Sequence, residues 1–208
     1  AKDVNGLTIF AANCTVRALA VHGFTDNGIG IFHRGATGNV IEGCYIGVKA
    51  DGVTASANTR QGVAIWGGAQ NNQIGTDGTA TTTRNVISGN AQYGVLVLES
   101  DTTGNIIAGN YIGTNAAGAG AVPNAKSGVA FWAGAHDNQV GGLTAGSRNV
   151  ISGNLEYGVW MSDAATTNNP VVGNYIGTNA AGTAVVGNAF GGIIITAGAH
   201  GITIGRGN

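Results

Sequence analysis

The sequence predicts an all-β chain, wound as a single-stranded right-handed parallel β-helix, a solenoid of six to seven coils with three short strands each. Three observations predict it: an internal repeat, a glycine-led apolar alternation within that repeat, and asparagines at fixed places between the apolar runs. Asn105-Ile-Ile-Ala-Gly-Asn-Tyr-Ile-Gly-Thr-Asn-Ala-Ala-Gly118 returns as Asn169-Pro-Val-Val-Gly-Asn-Tyr-Ile-Gly-Thr-Asn-Ala-Ala-Gly182, a shift of 64 residues. Arg84-Asn-Val-Ile-Ser-Gly-Asn90 returns as Arg148-Asn-Val-Ile-Ser-Gly-Asn154 at the same shift of 64, and Gly62-Val-Ala-Ile-Trp66 as Gly128-Val-Ala-Phe-Trp132 at 66. Self-similarity at a fixed period marks a stacked architecture.

The long unit divides in two. Glycine-led apolar segments begin at Gly6, Gly28, Gly62, Gly94, Gly128, Gly158 and Gly192, with spacings of 22, 34, 32, 34, 30 and 34 residues. Two further short apolar runs follow most of these segments. The bare unit is therefore 22 residues carrying three strands, and longer units carry insertions. One kind, at 75–83 and 141–147, falls between second and third strands; the other, at 49–60, 114–127 and 178–189, follows the third strand. Strands spaced about 4.8 Å apart stack six or so coils into a rod roughly 30 Å long. Parallel crossovers are overwhelmingly right-handed, which sets the expected hand. Alternation sends inward Val63, Ile65, Ile74, Ile87, Val95, Val97, Ile107, Ile112, Val129, Phe131, Val140, Ile151, Val159, Met161, Val171, Ile176, Ile193, Ile195 and Ile204.

Asparagine accounts for the corners. Asn39, Asn72, Asn105, Asn138 and Asn169 precede the second-strand anchor by two residues, and Asn85, Asn110, Asn149 and Asn174 precede the third-strand anchor. Asn90, Asn115, Asn154 and Asn179 follow the third strand. Asn tolerates tight bends, and its carboxamide pairs with the same group one coil away. Cys14 and Cys44 take the first place in two different ladders, so buried free thiols are expected rather than a disulfide.

Composition excludes other classes. Of 208 residues 38 are glycine, and charged residues make up 9%, against about 25% in ordinary globular domains. The net charge of −1 offers no basic excess for nucleic acid. Apolar residues at 43% are too many for a disordered chain, and no apolar run reaches the roughly 18 residues of a membrane span. Neither nucleic acid nor membrane insertion is expected. Two cysteines are too few for a disulfide scaffold or a zinc site, and no cofactor or metal is expected. The chain starts Ala-Lys-Asp without Met, as a processed form or a piece of a longer chain would, and residues 1–208 read as one domain.

The asparagine-rich strings quoted above resemble the right-handed parallel β-helix repeats of secreted bacterial surface proteins. That broad class takes in NosD-like periplasmic proteins, pectate-lyase-like enzymes and phage tailspikes. The resemblance spans nearly the whole chain and implies an extracellular or cell-surface location. It does not fix a function, because one fold hosts lyases, hydrolases, adhesins and inert stalks, and no enzyme motif matches residue by residue.

Acid/base glycoside chemistry needs two carboxyl groups about 5–9.5 Å apart. The weak catalytic candidates are Glu99, Asp101, Asp137 and Asp163, with His136 beside them. Glu99 and Asp163 share a column two coils apart, roughly 9.6 Å, with Ala133 between them. The competing reading is a solvated row at the end of the first strand. His136 and His200 occupy matching positions, as Gln70 does, without a third ligand at metal spacing. Arg84 and Arg148 match too, and are expected to bond loop carbonyls rather than an anion.

The outward side of the first strand carries Ala64, Trp66, Leu96, Leu98, Ala130, Trp132, Trp160 and Ile194, with Phe10 and Phe32 in the early coils. Soluble proteins seldom leave such a stripe bare. Three readings compete: the insertions at 49–60, 114–127 and 178–189 fold over it; another chain packs on it; or Trp66, Leu98, Trp132 and Trp160 form a platform for sugar rings. An ice or mineral binder would need a regular outward Thr array, and Thr81-Thr82-Thr83 does not recur. The expected role is a non-catalytic extracellular structural or adhesive module, self-associating laterally or end to end. The alternative is a carbohydrate-binding or polysaccharide-degrading protein using the Trp-bearing face.

Overall fold

A computed structural model describes residues 2–76, 78 and 84–205. The insertion at 75–83, with Asp77 and Thr81-Thr82-Thr83, therefore lies largely outside the described residues. Among the described residues every regular element is a strand. The first strands are β1 (Leu7–Ile9), β4 (Ile29–Phe32), β7 (Val63–Trp66), β10 (Val95–Leu98), β13 (Val129–Trp132), β16 (Tyr157–Met161) and β19 (Gly191–Ile195). The second are β2 (Thr15–Arg17), β5 (Val40–Glu42), β8 (Gln73–Gly75), β11 (Ile106–Ala108), β14 (Gln139–Gly141) and β17 (Val171–Val172). The third are β3 (Ala20–Val21), β6 (Tyr45–Ile46), β9 (Val86–Ile87), β12 (Tyr111–Ile112), β15 (Val150–Ile151) and β18 (Tyr175–Ile176). Each set forms its own parallel sheet, of seven, six and six strands, with every strand paired to its equivalent one coil away. This is the right-handed parallel β-helix the repeat predicts.

The core is one continuous column of apolar side chains between the three sheets, including Ile31, Ile65, Val97, Phe131 and Met161. Val95 pairs with Val129, and Val97 with Phe131, so like stacks on like. Ile195 and Ile204 depart from the expected burial at 41% and 48% exposed. They align with Met161 and Val171 but lie in the last described coil, where no further coil covers them.

The glycine opening each first strand has a steric cause. A methyl group on Gly128 would stand 2.6 Å from Cγ2 of Ile151, 2.8 Å from the Gly158 carbonyl oxygen and 2.9 Å from Nδ2 of Asn154. Gly62, Gly94 and Gly158 meet the equivalent three groups. The chain turns from third to first strand here so tightly that no side chain fits.

Two ladders run as the sequence indicates. Asn39, Asn72, Asn105, Asn138 and Asn169 pass amide hydrogen bonds at 2.8–3.2 Å, and Asn85, Asn110, Asn149 and Asn174 at 2.9–3.0 Å. Cys14 and Cys44 head them, each donating its backbone N–H to the next coil's Asn. Both thiols are free; Cys44 is buried, but Cys14 is only half-buried because it sits in the first coil.

The third ladder corrects the sequence reading. It runs Asn58–Asn90–Asn124–Asn154–Asn188, each amide bond 2.9 Å. Asn115 and Asn179 stand outside it. Asn115 Oδ1 accepts from the Ala119 N–H at 3.0 Å, and Asn179 Oδ1 from the Thr183 N–H at 2.9 Å, closing the insertions they begin.

These insertions are β-hairpins, closed by antiparallel bridges Val48–Ala55, Thr114–Ala121 and Thr178–Val185. A hairpin is two chains thick, roughly 9.6 Å, which equals two coils. Its returning arm docks on the neighbouring coil: Gly89 and Gly153 donate their N–H groups to the Val122 and Val186 carbonyls at 3.1 and 3.0 Å. Successive hairpins also touch, Ala116 N–H to the Gly52 carbonyl at 2.9 Å and Ala180 N–H to Gly118 at 2.8 Å. A two-layer insertion fits once every two coils, which explains why the strongest repeat spans two.

Candidate functional site

Three of the four acidic candidates, Glu99, Asp137 and Asp163, stand at corners where the backbone turns left-handed. Glu99, Ala133 and Asp163 have φ of 79°, 51° and 83°, and Asp137 has 53°. Such angles strain L-residues and leave the corner amides in need of partners. Glu99 Oε2 accepts the Gly67 N–H one coil earlier at 3.0 Å, and Asp163 Oδ2 accepts the Ala133 N–H at 2.8 Å. Asp101 pairs with the Arg34 guanidinium, and Asp137 Oδ2 lies 2.6 Å from His136 Nδ1. All four candidates thus have a fixed partner within the coil stack. The structure brings Glu99 and Asp163 no closer than their two-coil separation. Two shallow depressions, lined by Val171, Gly173, Asn174, Ile176, Ile193, Ile204 and Gly205 and by Ala18, Leu19, Ala20, Gly43, Tyr45 and Ala50, include no acidic side chain.

Of the three readings of the stripe, cover by the insertions is met only where Lys126, at the end of the 114–127 insertion, lies over the Tyr93 ring. The hairpins lie on the outer side of the third sheet, where Val48, Val86 and Val122 pack with Tyr45, Tyr111 and Ala116. Trp66, Leu98, Trp132 and Trp160 remain half-buried on the first sheet. Phe32, Trp66, Leu98 and Trp132 form one column, and Ala64, Leu96, Ala130, Trp160 and Ile194 its neighbour. Phe32 and Trp66 stack with centroids 4.3 Å apart and planes 15° apart. Trp132 meets Trp160 edge to face at 5.0 Å, and Tyr93 edge to face at 5.4 Å.

Tyr93 and Lys126 belong to this patch although the sequence reading omitted them. Tyr93 precedes Gly94 as Tyr157 precedes Gly158, where other coils have Asn27, Gln61 and Ser127, so an aromatic ring recurring there was the available signal. Its ring packs with Leu96 and Ala130, and Lys126 Nζ lies 5.1 Å from the ring centroid. Burial, and then the negative charge of Glu156, push the Tyr93 hydroxyl up from its ordinary range. The Tyr93 hydroxyl and the indole nitrogens of Trp132 and Trp160 are buried without hydrogen-bond partners among the described residues.

Arg84 and Arg148 bond carbonyls. Arg84 Nη1 donates to the Arg148 carbonyl at 2.7 Å and Arg148 Nε to Gly173 at 3.1 Å, while their guanidinium groups lie over Tyr111 and Tyr175. His136 and His200 fall in one column, at bridges to Thr103 and Thr167. That places two intervening coil steps, roughly 9.6 Å, between the two imidazoles' backbone positions.

A family model described as "Periplasmic copper-binding protein (NosD)" matches residues 8–204. The chain belongs to the NosD family. No curated protein and no solved structure matches it.

The NosD description raises copper, and the donor set tests it. Copper ions take imidazole, thiolate and thioether ligands, and at metal–nitrogen bonds of about 2 Å neighbouring donors must lie within about 4 Å. Among the described residues no three His, Cys, Asp or Glu side chains group to hold a metal ion. Met161 is fully buried in the core. The Cys44 thiol is buried, donates weakly to the Glu42 carbonyl at 3.4 Å, and is pushed up from its ordinary range mainly by burial. The described residues do not fit a copper ion.

Proposed function

We propose that this NosD-family chain is a non-catalytic, rigid β-helical module of the cell envelope or cell surface, structural or adhesive in role. The observation that supports it is the engagement of each candidate carboxylate: Glu99 and Asp163 cap corner amides, and Asp101 and Asp137 sit in ion pairs. A general acid or base must be available to a substrate proton; Glu99 and Asp163 are turned to amides of the neighbouring coil, and Asp101 and Asp137 are paired with Arg34 and His136. The periplasmic description of the family supports an envelope location. Incubation with a panel of acidic and neutral polysaccharides tests the reading. It predicts neither new reducing ends nor unsaturated products; turnover abolished by Glu99→Gln or Asp163→Asn overturns it.

A second reading, carbohydrate binding on the first sheet, is favoured by the partly exposed indole rings of Trp66, Trp132 and Trp160. Lateral association of two copies would use the same face. Trp66→Ala and Trp132→Ala separate the two: loss of glycan retention supports the platform, and loss of a dimer in solution supports self-association.

A further inference from the structure

We infer that the described residues of this NosD-family chain hold no copper ion with their own side chains. The imidazoles, thiols and thioether of the chain stand too far apart to share an ion. All four histidines, both cysteines and the one methionine lie among the described residues. The parallel register fixes each to a column, so separations follow from coil counts.

His33 stands in the corner column that continues through Gly67 to Glu99; the Glu99 carboxylate reaches back to the Gly67 N–H, one coil from His33, and among the described residues no third donor joins these two. Phe10 faces its ring at a centroid distance of 5.2 Å. His22 follows β3 at a different corner, beside the third sheet. His136 and His200 share a column two coils apart, and the residue between them is Thr167. Cys14 and Cys44 head different ladders, and Met161 points into the apolar core.

The best local pair is His136 with Asp137, whose oxygen lies 2.6 Å from Nδ1. This is one imidazole and one carboxylate already bonded to each other, with Thr103 and Thr167 flanking in the column. It lacks the third and fourth donors that a tetragonal Cu(II) site needs, and it has no soft donor for Cu(I). Moving a second histidine into reach would require breaking coil register, which the ladders on either side oppose.

The test is copper retention by the intact chain, anaerobically, with Cu(II) and separately with Cu(I) held by a reductant. After desalting, metal content is measured by mass spectrometry and the Cu(II) sample by electron paramagnetic resonance. The inference predicts copper well below one ion per chain in both states, unchanged in His136→Ala and His200→Ala. One ion per chain surviving desalting overturns it, whichever variant then removes it. The polysaccharide assay is independent, so failure here leaves the non-catalytic reading to its own test.

Discussion

Glu99 and Gly67 sit one coil apart, and the glutamate carboxylate accepts the glycine N–H at 3.0 Å. The acid thus completes a left-handed corner that parallel sheets cannot satisfy by themselves. Asp163 does the same for Ala133. Such exposed charge-assisted bonds contribute about 1 kcal/mol each. Glu99→Ala and Asp163→Ala should each lower stability by about that amount in denaturant titration. A variant with unchanged stability would mean the cap is idle and the carboxylate available for other work.

Gly128 separates close approach from flexibility. Gly128→Ala puts a methyl group against the Gly158 carbonyl oxygen and the Asn154 amide together. Overpacking of this kind costs about 1–3 kcal/mol, more where backbone must shift. Thermal denaturation should show a clear loss, whereas Gly187→Ala, with open space around it, should change little. Equal effects at both sites would contradict the packing assigned to the third-to-first corner.

Tyr93 carries a buried hydroxyl without a partner among the described residues. An unsatisfied buried group costs about 1–3 kcal/mol, so Tyr93→Phe should be neutral or stabilising by about 1 kcal/mol. Destabilisation by more than that would reveal a partner on the hydroxyl and strengthen the ligand-binding reading of the aromatic patch.

Asp51 supplies a pH signature for the first hairpin. The Thr54 hydroxyl, then the Thr54 and Val53 N–H groups, hold its carboxyl down to about 2 from a starting value of 3.8. The folded value is the depressed one, so its contribution is present above pH 3.8 and is lost as pH falls through about 2. Carbon-detected titration of Asp51 should give a midpoint near 2; a midpoint near 3.8 would mean the hairpin turn is not formed.

The strands and the core were legible in the sequence because Val63, Ile65, Val95 and Val97 alternate behind a glycine that nothing can replace. Two ladders were legible because Asn105 and Asn110 lie close to the strand anchors. The third was not. The hairpin separates the end of β12 from the next corner, and both Asn115 and Asn124 qualify by type. Only the antiparallel Thr114–Ala121 bridge decides between them. The hairpins' destination was hidden for the same reason, since they adjoin both the third and the first strand. Val48 and Val122, facing Tyr45 and Tyr111, were the overlooked signal. The acidic row could not be resolved because the partners of Glu99 and Asp163 are backbone amides, whose availability follows from left-handed corners and not from residue type.

The stack is held at this corner by carboxamides in a specific register, and paired substitutions test that most directly. Asn124→Ala removes the bonds to Asn154 and to the Ile87 carbonyl and strands the Asn90 amide. Asn115→Ala removes an exposed hairpin bond. Equilibrium denaturation should show Asn124→Ala costing about 3 kcal/mol or more and Asn115→Ala about 1 kcal/mol or less. The reverse order, or equal losses, would contradict the ladder and the coil register built on it.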